Sequence, residues 1–219
     1  MSTIFIDRDG VINENRVDYV KCWEEFRFLP GAREAIAQVT RAGHRVIVCT
    51  NQAAIARGLV SVEIVEEIHQ RLIAEVAGFG GAIEKVYYCP HPKDGNCSCR
   101  KPRPGLLLRA RDELGADLSD AVFVGDSMTD VRAALAAGVR PILVLTGLGI
   151  EQFRDHHREA SGPFRIAMNL QDAVEVFLRG RHAQAGIQTT LERACYAALA
   201  MTAPSDPLSM LHKRLAMLA

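Results

Sequence analysis

Thr3-Ile4-Phe5-Ile6-Asp7-Arg8-Asp9-Gly10 is the stretch on which the fold is read. Its first four residues are β-branched or aromatic and predict a short buried strand, which breaks at once into an acidic turn. Working outward, the same layout returns. Arg45-Val46-Ile47-Val48-Cys49 runs into Thr50-Asn51-Gln52, and Lys85-Val86-Tyr87-Tyr88 runs into a cysteine–histidine cluster. Ala121-Val122-Phe123-Val124 runs into Gly125-Asp126, and Pro141-Ile142-Leu143-Val144-Leu145 is a fifth strand. Helical patterns separate these runs. Pro30-Gly31 opens one with Ala32, Ala35, Ile36 and Val39 on one face, and Gly43 closes it. Ser61 caps a second, in which Val65, Ile68, Leu72, Ile73 and Val76 keep a helical period. Pro104 starts a third through Leu114, and a fourth covers Thr129 to Ala137 before Gly138. Apolar strands alternating with helices predict an α/β fold, a doubly wound parallel sheet covered on both faces. In such sheets the ligand sits beyond the C-terminal ends of the strands, where the polar residues of this chain fall.

The chain has 219 residues, enough for one well-buried core and an appendage. Residues 1–180 are read as one domain and 181–219 as a helical extension of unknown role. Asp172 to Leu178 reads as a last helix of the domain, and Gly180 to Gly186 as a linker. In the extension Leu208, Leu211, Leu215 and Leu218 form a stripe that packs on the domain or on another chain. The chain is expected to act as a monomer, with that stripe as the surface for any association. Lys plus Arg and Asp plus Glu balance at 26 each, which gives no support for a nucleic-acid groove or an anionic membrane surface. No apolar run reaches the roughly 18–20 residues of a membrane span, and the N-terminus lacks a signal-peptide layout. The expected location is the cytoplasm.

Six cysteines are present, and three of them, Cys89, Cys97 and Cys99, lie close together with His91. Without a secretion signal such a cluster favours metal over disulfides. Three thiols and an imidazole with no spare position describe a closed structural Zn²⁺ site in the loop 89–99. The turn-rich Pro92-Lys93-Asp94-Gly95-Asn96 cannot order itself by apolar burial, so metal is expected to supply its order. That loop continues into Arg100-Lys101-Pro102-Arg103-Pro104-Gly105, and fixing it positions Arg100 and Lys101. Cys22, Cys49 and Cys195 have no partner in sequence and are expected to be buried as small hydrophobes.

Asp7 and Asp9 stand two apart at a strand end, so both carboxylates can face one pocket, where they repel unless a cation or a shared proton relieves them. Taken alone, an Asp-x-Asp is more often a turn or a cap. With Thr50, Lys101, Asp126 and Asp130 at the other strand ends, the set contains a carboxylate nucleophile, an acid/base, a hydroxyl, a cation and a carboxylate for metal. These are the parts for moving a phosphoryl group through an aspartyl-phosphate with Mg²⁺.

Asp7-Arg8-Asp9-Gly10, Thr50-Asn51-Gln52, Lys101 and Gly125-Asp126-Ser127-Met128-Thr129-Asp130 resemble, in order, the four motifs of the haloacid dehalogenase superfamily of phosphatases. The resemblance implies that Asp7 attacks phosphorus and that Asp9 protonates the leaving oxygen and then activates water. It also implies that Mg²⁺ is held by Asp7, the Asp9 carbonyl and Asp126, while Thr50 and Lys101 hold the phosphoryl oxygens. Asp130 is expected to orient Lys101 or the site. Within the superfamily, a zinc loop ahead of Arg-Lys-Pro resembles two groups, the D-glycero-D-manno-heptose 1,7-bisphosphate phosphatases and the histidinol-phosphate phosphatases. Thr50-Asn51-Gln52 continuing to Ile55-Ala56-Arg57-Gly58, with Tyr87-Tyr88-Cys89-Pro90-His91 ahead of Arg100, looks more like the first. This implies a small sugar bisphosphate as the partner, loss of its C7 phosphate, and a heptose 1-phosphate product destined for lipopolysaccharide-core precursors. Asn51, Gln52 and Arg100 are the expected substrate contacts. Ala53-Ala54 and Ser127 depart from the group's pattern and leave the sugar and anomer preference open. Thr50 and the zinc loop are too close for a large cap domain, so an open site is expected, with Tyr19 and Trp23 of the Asn13–Phe26 loop serving either as one wall or as aromatic packing under that loop. A non-catalytic zinc-stabilised binding module is the alternative from another class.

Overall fold

Six parallel strands form the centre of the computed structural model, which describes residues 1–157 and 160–180. They are β1 (Thr3–Ile6), β2 (Arg45–Asn51), β3 (Lys85–Cys89), β4 (Val122–Gly125), β5 (Arg140–Val144) and β6 (Arg165–Ala167), in the order β3-β2-β1-β4-β5-β6. The chain lays β2 and β3 to one side of β1, then crosses back to place β4, β5 and β6 on the other. The point of reversal lies between β1 and β4, where Phe5 pairs with Phe123 and Ile6 with Val124. Sheets of this kind open a crevice there, beyond the strand ends.

The strands read as unbroken apolar runs because both faces are covered. Ile4, Ile6, Val46, Val48, Val122 and Val124 belong to one core, while the alternate residues Phe5, Ile47, Cys49 and Phe123 belong to another. The first face is covered by α1 (Ala32–Arg41), α2 (Val62–Gly78) and α6 (Leu170–Arg179), through Ile36, Leu72 and Phe177 among others. The second is covered by α3 (Gly105–Leu114) and α4 (Met128–Ala136), through Leu106, Leu107, Ala133 and Ala134. Ser61 accepts a hydrogen bond from the Ile64 amide and so caps α2, as its place ahead of the periodic run predicts.

Three elements escape the sequence reading, a 3-10 turn at Trp23–Glu25, α5 (Gly149–His156) and β6. α5 is short and mostly polar and buries only Gly149 and Phe153, so few apolar positions mark it. β6 is three residues long and gains its identity from pairing with Ile142, Leu143 and Val144 of β5. The expected helix at Asp172–Leu178 lies inside α6. The extension expected at 181–219, with its leucine stripe and Cys195, lies outside the described residues. Among the described residues no helix is long and apolar enough to cross a membrane. The two longest connections, after β1 and after β3, hold no more than a 3-10 turn at Trp23–Glu25, so among the described residues no cap domain stands over the strand ends.

Candidate active site

The polar ends of β1, β2 and β4 meet in one cavity of about 660 Å³, lined by Asp7, Asp9, Thr50, Asn51, Lys101 and Asp126. Lys101 reaches it from the loop before α3. Its side chain is about 1% exposed, and its ammonium lies 2.8 Å from Asp7 Oδ1 and 2.7 Å from Asp130 Oδ1. It also donates to the Cys49 carbonyl at 2.9 Å. The Cys49 carbonyl takes one of its protons, and the two carboxylates pair with its charge. Burial alone would lower the Lys101 pKa, but the Asp130 and Asp7 charges overcome it and push the pKa up.

Asp126 follows β4, and its Oδ2 accepts from the Leu148 amide at 2.8 Å. Two glycines make room for this carboxylate. A Cβ on Gly10 or on Gly147 would overlap Asp126 Oδ2, and both residues have positive φ, +83° and +57°. The Thr146 hydroxyl donates to the Gly10 carbonyl at 2.7 Å and ties the two loops together. Burial, with Asp7 and Asp130 close by, raises the Asp126 pKa well above the ordinary carboxylate value. Oxygens of Asp7, Asp126 and Asp130 lie within 4.8 Å of one another. Three buried carboxylates facing one ammonium leave an excess of negative charge that a hard divalent cation with oxygen ligands suits.

Asp9 sits in a separate cradle. Arg8 Nη2 is 2.9 Å from both of its oxygens, Asn13 donates at 2.9 Å and Gln52 at 2.8 Å. Burial works to raise the Asp9 pKa, but the Arg8 charge and these hydrogen bonds outweigh it and hold the pKa below the ordinary value. Gln52 also donates to Thr50 Oγ1 at 3.0 Å. With its oxygen already accepting, Thr50 has its hydroxyl proton left to offer the cavity.

Such an arrangement can hold a phosphoryl group: a carboxylate at its floor, a cation and a hydroxyl beside it, and a second carboxylate within reach. The protein comparisons agree with that chemistry. A family described as HAD-hydrolase-like matches residues 98–173. The D-glycero-β-D-manno-heptose-1,7-bisphosphate 7-phosphatase of Pseudomonas aeruginosa is 46% identical over 149 residues, covering 68% of this chain and 84% of that protein. Its namesake in Neisseria meningitidis serogroup A is 40% identical over 159 residues, covering 73% and 85%. The solved D,D-heptose 1,7-bisphosphate phosphatase from B. bronchiseptica, complexed with magnesium and phosphate, superposes with a TM-score of 0.76 at 36% identity, covering 82% of this chain and 99% of that one. The chain belongs to the heptose-1,7-bisphosphate 7-phosphatase family.

Membership makes this chain a phosphoric monoester hydrolase of the HAD superfamily. All four segments that carry the resemblance reach the site, but not every expected contact lines the cavity. Gln52 is 1% exposed and does not line the cavity. Its amide donates to Asp9 and to Thr50 and so braces both. Asn51 lines the cavity, and its amide is tied to the Lys101 backbone at 3.2 and 3.1 Å. Arg100 lines the rim and donates to the His91 carbonyl at 3.2 Å. Tyr19 forms part of the wall as expected, whereas Trp23 instead stacks on Phe26, with ring centroids 4.9 Å apart. Ala53 and Ala54 are buried beneath the surface, and Ser127 caps α4 by accepting from the Thr129 amide at 3.2 Å.

The loop 89–99 brings its four expected ligands together. Cys89 Sγ and Cys99 Sγ lie 3.4 and 3.3 Å from His91 Nδ1, and Cys89 Sγ lies 3.6 Å from Cys97 Sγ. A sulfur pair at this distance is not a disulfide, whose S–S length is about 2.05 Å. A tetrahedron with Zn–S of about 2.3 Å and Zn–N of about 2.0 Å has edges of roughly 3.5–3.8 Å, close to these spacings. Burial pushes the Cys89 thiol up to about 12, a cost that a metal ion removes by taking the thiolate. Arg103 braces the same loop, donating to Asn96 Oδ1 at 2.9 Å and to the Cys97 carbonyl. Of the other cysteines, Cys49 is fully buried as expected and Cys22 is only partly covered.

Several cavity residues carry no motif signal. Arg16 and Lys93 come from the two long loops, Arg132 from α4, and Gln152 and His156 from α5. Only the composition of those loops, rich in cations close to the strand ends, hints at them.

Proposed function

We propose that this chain hydrolyses the C7 phosphate ester of D-glycero-β-D-manno-heptose 1,7-bisphosphate and releases the heptose 1-phosphate. The observation that carries the reading is the meeting of Asp7, Lys101, Thr50 and Asp126 at the floor of a cavity with a cationic rim. The cavity volume suits a sugar with two phosphates. The relatives' names point to the same substrate and to the β anomer.

In this reading the Asp7 carboxylate attacks phosphorus in line with the bond to the C7 oxygen, which breaks as the aspartyl-phosphate forms. Lys101, tied to Asp130, and the Thr50 hydroxyl hold the phosphoryl oxygens as charge redistributes. Asp9 donates a proton to the departing alkoxide and later takes one from the water that frees phosphate. Its cradle keeps it ionised at rest, the form the second step needs. A phosphoryl dianion arriving beside it raises its pKa toward the form the first step needs. Mg²⁺ bound by Asp7, Asp126 and the Asp9 carbonyl would neutralise phosphoryl charge and orient the group. Arg100 and the other rim cations face the second phosphate. Zn²⁺ on Cys89, His91, Cys97 and Cys99 has a structural part, holding the rim in place, and a reduced thiol site of this kind suits the cytoplasm.

Phosphate release from the α and β bisphosphates and from histidinol phosphate, with Mg²⁺ present, tests the reading. Expected is fast release from the β anomer, abolished in Asp7→Asn. Preference for histidinol phosphate overturns the substrate, and activity surviving Asp7→Asn overturns the nucleophile.

A further inference from the structure

His69 belongs to none of the four motifs and does not line the cavity, yet it sits directly behind the acid/base. It lies on the buried face of α2 at 5% exposure, beside Ile68 and Leu72 of the core. Its Nε2 is 3.1 Å from Nη1 of Arg8, the residue between the two aspartates, which is 1% exposed. A guanidinium offers only donors, so Nε2 must accept. The ring is therefore neutral, with its proton on Nδ1. Burial, followed by the Arg8 charge, drives the ring's pKa down to about 3, in keeping with that state.

The opposite edge of the same guanidinium holds Asp9. Nη2 bonds both carboxylate oxygens and also Gln52 Oε1 at 3.0 Å, while Nε is 3.3 Å from Asp9 Oδ1. Because the guanidinium is rigid and planar, fixing one edge fixes the other. Without its acceptor, Nη1 is a buried donor with no partner, and the plane turns to find one.

We infer that His69 is a positioning residue for the proton transfers at Asp9, acting through Arg8. The inference rests on the reading of Asp9 as acid proposed above. α2, a helix on the sheet face, thereby sets the aim of a group on the β1 loop.

The test uses leaving-group dependence. A proton donor matters greatly for a departing alkoxide and little for p-nitrophenolate, and kcat/KM reports only the steps through departure. Asp9→Asn is the control, with a loss of about 100-fold or more on the heptose bisphosphate and a much smaller one on p-nitrophenyl phosphate. Equal losses in that control overturn the acid reading, and the inference falls with it. Given the control, His69→Asn, whose carbonyl stops short of the Nε2 position, is expected to lose about 10-fold on the bisphosphate and under about 3-fold on the aryl ester. The loss should fall on kcat more than on KM. His69→Gln, whose carbonyl reaches that position, is expected to restore both to within about 3-fold. Equal losses on the two substrates in His69→Asn, or none, overturn the inference. Nitrogen-15 spectra of the unmodified protein provide a measurement independent of how variants fold. They should show an unprotonated Nε2 and a protonated Nδ1 on His69, and the reverse tautomer overturns the proposal.

Discussion

Asp126 is placed by what is missing around it as much as by what touches it. Gly10 and Gly147 leave the space its Oδ2 occupies, and the Leu148 amide fixes the oxygen there. Gly10→Ala therefore has two expected consequences. The left-handed backbone at φ +83° costs an alanine about 1–2 kcal/mol of stability, to be read from urea unfolding. The new methyl also displaces the carboxylate, so half-activation by Mg²⁺ should require roughly 10-fold more metal or beyond. A variant destabilised as expected but activated by Mg²⁺ like its parent would remove Asp126 from the metal site. Lys101 shows the opposite principle. Its ammonium donates to the Cys49 carbonyl and is ion-paired with Asp7 and Asp130, so it meets a phosphoryl group already oriented.

At the scale of elements, the loop 89–99 acts as a brace for the rim. Arg100 is held to the His91 carbonyl and Arg103 to the loop between Gly95 and Cys97, so the order of four ligands becomes the order of two arginines. On the proposed reading, in which Cys89, His91, Cys97 and Cys99 hold zinc and the rim meets the unreacting phosphate, stripping that metal and restoring Mg²⁺ should raise KM for the bisphosphate about 10-fold while kcat changes less. A fall in kcat alone, measured by steady-state kinetics, would contradict that division of labour. This loop was legible in sequence, since four residues of metal-ligating type crowd into it. So were β1, β2 and β4 with their polar ends, because buried parallel strands leave only their ends for chemistry. α4 was legible at its end, where Gly138 stops it; the capping box of Ser127 and Asp130 at its start, with Asp130 also paired to Lys101, is seen in the structure. What stayed hidden shares one cause. Gln52 and His69 act through contacts between elements far apart in the chain, and no local spacing encodes which side chain a buried residue meets. β6 likewise exists by pairing and not by propensity.

For the whole molecule, burial of neutral or ionised groups links stability to pH, and His69 gives a term whose sign can be worked out. Its pKa is about 3 in the folded protein against an ordinary 6.5. Above pH 6.5 the imidazole is neutral in both states and its contribution is full. As pH falls below 6.5 the unfolded chain takes up a proton that the folded protein refuses, so stability is lost until about pH 3, where the folded form also titrates. Between pH 7 and pH 5 the loss from this one group is about 2 kcal/mol. Asp126, its pKa raised by burial and by Asp7 and Asp130, works with the opposite sign: the folded state keeps its proton more tightly, and acid favours it. The metal-free pH profile is thus a sum of opposed terms, and a difference between two proteins isolates one of them. His69→Gln, which has no proton to gain, should lose about 2 kcal/mol less than the parent on going from pH 7 to pH 5 in urea unfolding. Equal losses in the two proteins would mean that the imidazole takes up its proton in the folded state, and then Arg8 would have no acceptor on that side.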